Sequence, residues 1–108
     1  MATISKFEDI ESWQGARTLV RDIDKLTSQG AMAKDFGFRD QIQRAAVSIR
    51  SNIAVGFERN SRKDFCRFLY MAKTSAGEVQ SLLYLALDLS YIDPSTYDSL
   101  SQHMITVS

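Results

Sequence analysis

Apolar positions recur at spacings of three and four along most of the chain, the signature of helices with one buried face. Ile10, Trp13, Ala16, Val20, Ile23 and Thr27 predict a first helix from about Glu8 to Ser28. Glu8, Asp9 and Glu11 would sit in its first turn, where acidic groups suit the helix dipole, and Gly30 follows its end. Phe38, Ile42, Ala45, Ala46, Ile49 and Ile53 predict a second helix from about Phe38 to Val55. Gly56 is placed to stop it in a left-handed conformation that a side chain would resist. Ser61 with Asp64 resembles a capping box and opens the third helix, which runs to about Leu89. Its main stripe is Phe65, Phe68, Leu69, Ala72, Ala76, Val79, Leu83 and Ala86, with Met71, Leu82, Leu85 and Leu89 beside it. Together they cover more than the roughly 100° a surface helix hides. Asp93 and Pro94 suit the cap and first position of a fourth helix, in which Tyr97, Leu100 and Met104 keep the helical spacing.

No stretch reads as a strand, and no repeat is visible. Four helices with short loops predict an all-α fold: an antiparallel up-down four-helix bundle with a short fourth helix, one domain spanning residues 1–108. The lengths do not balance. At 1.5 Å per residue the third helix spans about 43 Å and the fourth about 21 Å. Half of the groove would lack a cover, so either the natural chain continues or another subunit fills it. The wide apolar arc of the third helix favours self-association, since monomers rarely expose large apolar patches.

Composition narrows the class without naming a function. The chain has 108 residues, and its apolar and charged fractions are those of a globular protein. One cysteine, Cys66, excludes an internal disulfide framework and fits a reducing compartment. No apolar run approaches the roughly 20 residues that span a bilayer, and MATISKFEDIE lacks a signal core. A cytoplasmic protein is expected. Thirteen Lys and Arg match thirteen Asp and Glu, but unevenly. Residues 1–33 carry a balance of minus one, residues 34–73 plus five and residues 74–108 minus four. A basic middle and an acidic end can mark a partner surface, or let one copy complement another.

Catalysis has little support. Lone His103 and Cys66 cannot make a zinc site, and no Glu-x-x-His pair, phosphate loop or dinucleotide fingerprint is present. Cys66 reads as a small apolar residue near the surface and His103 as an exposed residue near the chain end. No catalytic residue, metal, cofactor or small-molecule substrate is expected. Arg39, Arg50, Arg59, Arg62, Lys63, Arg67 and Lys73 could neutralise phosphates, in contacts that salt would weaken and sequence would hardly affect. Arg39 and Arg50, three turns apart, share a side of the second helix, while Arg44 points elsewhere. The alternative is an ordinary solvated surface, with Asp35, Asp40, Glu58 and Asp64 interspersed. Tyr70, Gly77 and Tyr84 recur every seven residues on one line of the third helix. They suit a subunit contact, with Gly77 permitting close approach, or stacking on bases. Ser48, Ser51 and Asn52 inside the second helix suggest hydrogen bonds between helices, or bonds to carbonyls one turn back.

FEDIESWQGAR, followed by the stretch from DQIQRAAVSIRSNIAVGFERNSRKDF to LSYI, resembles the four-helix-bundle family of intervening-sequence-encoded proteins. Its founding members are encoded within insertions of the bacterial large-subunit ribosomal RNA gene. The accessory protein of diversity-generating retroelements looks like a relative. The resemblance covers about residues 7–92. The family's SIPSNIAEGFGRGS reads SIRSNIAVGFERNS here: Arg50 replaces proline, Val55 glutamate, and Glu58 and Asn60 glycines. Ser51, Asn52, Gly56, Phe57, Arg59 and Ser61 match, as do Phe68, Leu69, Tyr70, Ala72, Ser75 and Glu78. The missing proline should leave the second helix straighter. The resemblance implies a homo-oligomeric bundle, with a pentameric ring known in the family. It also implies a binding role, toward RNA or a ribonucleoprotein, rather than catalysis. A protein-interaction scaffold without nucleic acid is the alternative.

Overall fold

The computed structural model describes residues 5–107, and the side chains of residues 5–104. The helices are α1 (Glu11–Leu26), α2 (Phe36–Glu58), α3 (Arg62–Asp88) and α4 (Pro94–Val107). Two short 3₁₀ turns, Phe7–Asp9 and Gly30–Lys34, precede α1 and α2, and no strand occurs among the described residues. Ser48 meets Ser75 while Gly56 meets Phe68, so α2 and α3 run in opposite directions. Gln80 meets Ser101 and Tyr84 meets Tyr97, so α3 and α4 do the same. The architecture is an antiparallel four-helix bundle, elongated at 45 × 25 × 18 Å.

Every predicted apolar position of α2 is buried, and the core joins them to Leu19 and Ile23 of α1, Val79 and Leu83 of α3, and Leu100 and Met104 of α4. Leu19, absent from the predicted stripe, is fully buried, whereas Val20 is half-buried at its edge. Thr27 is buried because its hydroxyl donates to the Ile23 carbonyl at 2.8 Å. The second stripe of α3 splits. Leu82 is buried, but Met71, Leu85 and Leu89 stay more than 40% exposed.

Three boundaries differ from expectation. The first helix starts at Glu11, not Glu8, because Ile10 is extended. Glu8 and Asp9 therefore belong to the separate 3₁₀ turn, and Glu11 alone supplies acid to the first turn of α1. The second helix begins two residues early, capped by Asp35, whose Oδ1 accepts the Phe38 N–H at 3.2 Å. It also runs through Gly56, which is not left-handed. Among the described residues those at positive φ are Gly30, Asn60 and Ser90. Asn60 ends α2, consistent with its short polar side chain easing that conformation. Ser90 ends α3 in a Schellman turn, its N–H bonding Leu87 and the Tyr91 N–H bonding Ala86.

Gly56 serves another purpose. A Cβ there would lie 2.7 Å from the Phe68 Cβ, so the missing side chain lets α3 close onto α2. Predicted caps hold elsewhere: Ser61 accepts from the Asp64 N–H at 3.3 Å and Asp93 from the Thr96 N–H at 2.7 Å. The Asp93 carboxyl is held below its ordinary range chiefly by that backbone bond.

Candidate nucleic-acid interface

The basic residues of the middle segment are positioned by α2, the turn after it and the first half of α3. Arg50, Arg59, Arg62, Lys63, Arg67 and Lys73 are exposed and Arg39 is half-buried. Arg39 and Arg50 do share a side of α2, with Gln43 between them lining the grooves that each also lines. Arg44 points elsewhere and pairs with Asp40, one turn away. No other Lys or Arg pairs with a carboxylate among the described residues. Asp88, Asp93 and Asp98 leave the arginines free within one chain. Arg62 and Asp88 stand at opposite ends of a helix about 40 Å long.

The structure sorts these cations into two groups. Arg59 and Arg67 both lie over the Phe68 ring, 5.3 and 5.2 Å from its centroid. Arg62 and Lys63 occupy the first turn of α3 beside them, and Phe57 meets Phe65 edge-on at 6.3 Å. Arg50 belongs to the other group, with Arg17 and Arg21 of α1. Arg17 and Arg21 lie in a segment that is acidic in sum, so charge counted by segment does not single them out. Their spacing of four residues, with Arg17 four beyond Trp13, was the available signal. Lys73 lies further along α3, apart from both.

Several of the matched family positions form a seam between α2 and α3. Ser48 and Ser75 share a hydrogen bond at 2.8 Å across it, and Asn52 Nδ2 donates to the Ser48 carbonyl at 2.8 Å and its hydroxyl at 3.1 Å. The expected bond between helices is present, but the carbonyl one turn back is met by Asn52 and not by a serine, and Ser51 faces solvent. Gly56, Phe57 and Arg59 continue the seam to Phe65 and Phe68. Glu78 lines an open groove of about 510 Å³ with Asp40, Arg44, Ser48 and Ser75. Its polar groups largely satisfy one another, through the Arg44–Asp40 and Ser48–Ser75 pairs, rather than converging on free space.

Tyr70 is 72% exposed, and a Cβ added at Gly77 would meet nothing within 4 Å. Tyr84 is partly engaged, its ring 4.8 Å from Tyr97, and the Tyr97 hydroxyl pushes the Tyr84 phenol above its ordinary range. His103 is half-buried, not exposed as expected, and its Nδ1 lies 3.1 Å from the Asp22 carboxylate of α1 without making a hydrogen bond. Among the described residues no group of three or more His, Cys, Asp or Glu side chains could hold a metal ion. No described helix is long and apolar enough to cross a membrane.

Fold and surface thus define a small helical bundle whose flank carries arginines braced on aromatic rings. The chain belongs to the 23S rRNA-intervening sequence protein family, whose pattern matches residues 8–108. It is similar in structure to a protein of unknown function from the S23 ribosomal protein family of Bacteroides thetaiotaomicron. That protein shares 25% identity at a TM-score of 0.80, over 89% of this chain and 90% of the other. No curated protein matches the chain.

Proposed function

We propose that this protein is a non-enzymatic cytoplasmic binding protein that contacts structured RNA, or RNA within a ribonucleoprotein, through phosphate contacts. The observation that carries the reading is the unpaired state of the middle arginines: Arg44 alone has a carboxylate partner, while Arg50, Arg59 and Arg67 rest on aromatic rings. Unpaired guanidinium groups keep their donors free for phosphate oxygens, and stacking fixes them without neutralising them. The family's name, which refers to ribosomal RNA, agrees with this choice of polyanion. Labelled structured RNA titrated at several salt concentrations tests it. Binding should weaken steeply with salt, and removing Arg59 and Arg62 should weaken it at every salt. Absence of binding at low salt overturns the proposal.

Self-association is part of this reading. The exposed line of Tyr70, Gly77 and Tyr84, with Met71 and Leu85 beside it, is the proposed subunit contact, and five copies is the number the family resemblance suggests. Light scattering at micromolar concentration tests it, and a monomer overturns it. The same apolar face supports a second reading, a protein-interaction scaffold without RNA. Recovery of a protein partner from nuclease-treated lysate, lost on changing Tyr70, would favour that scaffold.

A further inference from the structure

The groove between α1 and α2 holds an arrangement that the basic middle segment does not account for. Arg17 and Arg50 come from different helices, yet each guanidinium lies 5.9 Å from the centroid of the same ring, Trp13. Trp13 is itself 8% exposed and braced edge-on by Phe7 at 5.2 Å, so it is a rigid platform. Arg21 stands one turn beyond Arg17 on the same groove, whose volume is about 310 Å³. Val20 and Val47 line it between the charges, and Gln43 bridges its far end. The one acidic group lining it, Asp24, accepts from Gln43 Nε2 at 3.2 Å, and none of the three arginines is ion-paired. Three cations and one carboxylate leave a net positive groove. Like charges gathered around one indole repel one another, and an anion between them would relieve that repulsion. An apolar strip flanked by guanidiniums suits a ligand with charged edges and a less polar body.

We propose that this groove is a phosphodiester clamp: Arg17, Arg21 and Arg50 grip successive phosphates of an RNA strand, and Trp13 orients two of them. The proposal rests on the RNA reading above and assigns the strand to the α1–α2 flank, with Arg17 and Arg21 as ligands. Arg39, half-buried at the next groove along α2, extends the track.

Trp13 is the only tryptophan, so its emission reports the clamp directly. The full chain is titrated with a mixed-sequence single-stranded RNA, an RNA hairpin, the matching DNA and inorganic phosphate. Tryptophan emission and the anisotropy of a label on the nucleic acid are followed together. RNA is expected to change Trp13 emission in step with anisotropy. The Arg17→Gln, Arg50→Gln double variant should lose the emission change. It should also lower the slope of log K against log salt by about 0.7 per arginine on single strands. Arg17→Lys with Arg50→Lys should recover part of that slope, because the charge returns. Lys25→Gln, on the separate groove between α1 and α4, should leave the emission change in place. Arg21→Gln, whose side chain has no contact with Trp13, gives the same reduction of slope for one contact should the double variant fold poorly. Binding by anisotropy with an unchanged slope in the double and Arg21 variants overturns the clamp while sparing the RNA reading. No anisotropy change with either RNA overturns both. An emission change with inorganic phosphate but none with RNA reassigns the groove to free phosphate and overturns the strand assignment, as tighter binding of DNA than RNA would.

Discussion

The two halves of α3 are built alike and packed differently. From Ala72 to Ala86 six side chains are buried, because α2 packs along them and α4 covers their C-terminal part. From Arg62 to Met71 none is fully buried, and Phe65, Phe68 and Leu69 remain half-exposed. Among the described residues α4 spans 14 residues against 27 in α3 and so faces only part of it. At the covered end, Gln80 donates to Tyr97 at 2.6 Å and Ser101 at 3.3 Å, locking α4 in place. At the open end the N-terminal 3₁₀ turn supplies Phe7 against Trp13, and arginines lie over the rings. One end is thus organised for stability, while the other combines exposed aromatic surface with free cations.

The contrast is sharpest in the cost of truncation. Leu83→Ala, at a fully buried site, should destabilise the fold by about 3 kcal/mol in denaturant melts. Leu69→Ala, in the half-exposed half, should cost about 1 kcal/mol. Equal costs in dilute protein would show that the open half is covered after all. The exception within that half is Gly56. Gly56→Val should cost about 1–3 kcal/mol through overpacking against Phe68, the opposite of the gain a helix interior normally takes from losing glycine. A more stable variant would mean that α2 and α3 separate easily at that end.

Smaller still is the seam hydrogen bond. Ser75→Ala should cost about 1 kcal/mol, since Asn52 still donates to the Ser48 hydroxyl, and a thermal melt reads it. The smallest effect belongs to the loop before α2. There the Tyr91 hydroxyl donates to Asp35 Oδ2 at 2.7 Å, holding the Asp35 carboxyl below its ordinary range and pushing the Tyr91 phenol above its own. The depressed carboxyl stabilises the fold above the ordinary carboxylate range, and this is lost as pH falls through the folded value. The raised phenol stabilises below the ordinary phenol range, and this is lost as pH rises through the folded value. Tyr91→Phe should therefore lower the melting temperature slightly at neutral pH and leave it unchanged in strong acid. A constant difference at all pH values would place the effect in Phe38–Tyr91 ring packing, 5.6 Å apart, instead of the hydrogen bond.

Much of this was legible beforehand where a local rule sufficed. The stripe of α2 and the caps at Ser61 and Asp93 each depend on residues within a few turns. The glycines show where local rules stop. Gly56 satisfied every rule for a helix stop, yet Asn60 and Ser90 took the left-handed positions, because α3 needed Gly56 to be small. The candidate site shows the same limit, since counting charge by segment separated Arg50 from Arg17 and Arg21.

What the sequence determined by itself is the set of four helices and their buried faces, since periodicity and capping act over short range. What only the tertiary structure decided is which side chains from different helices share a surface. Trp13 gathers Arg17 and Arg50, and Phe68 gathers Arg59 and Arg67, because antiparallel packing brings distant turns side by side. The formal charge of zero is the same in both descriptions, but the bundle places the acidic end of α3 far from the arginines that need a counter-ion.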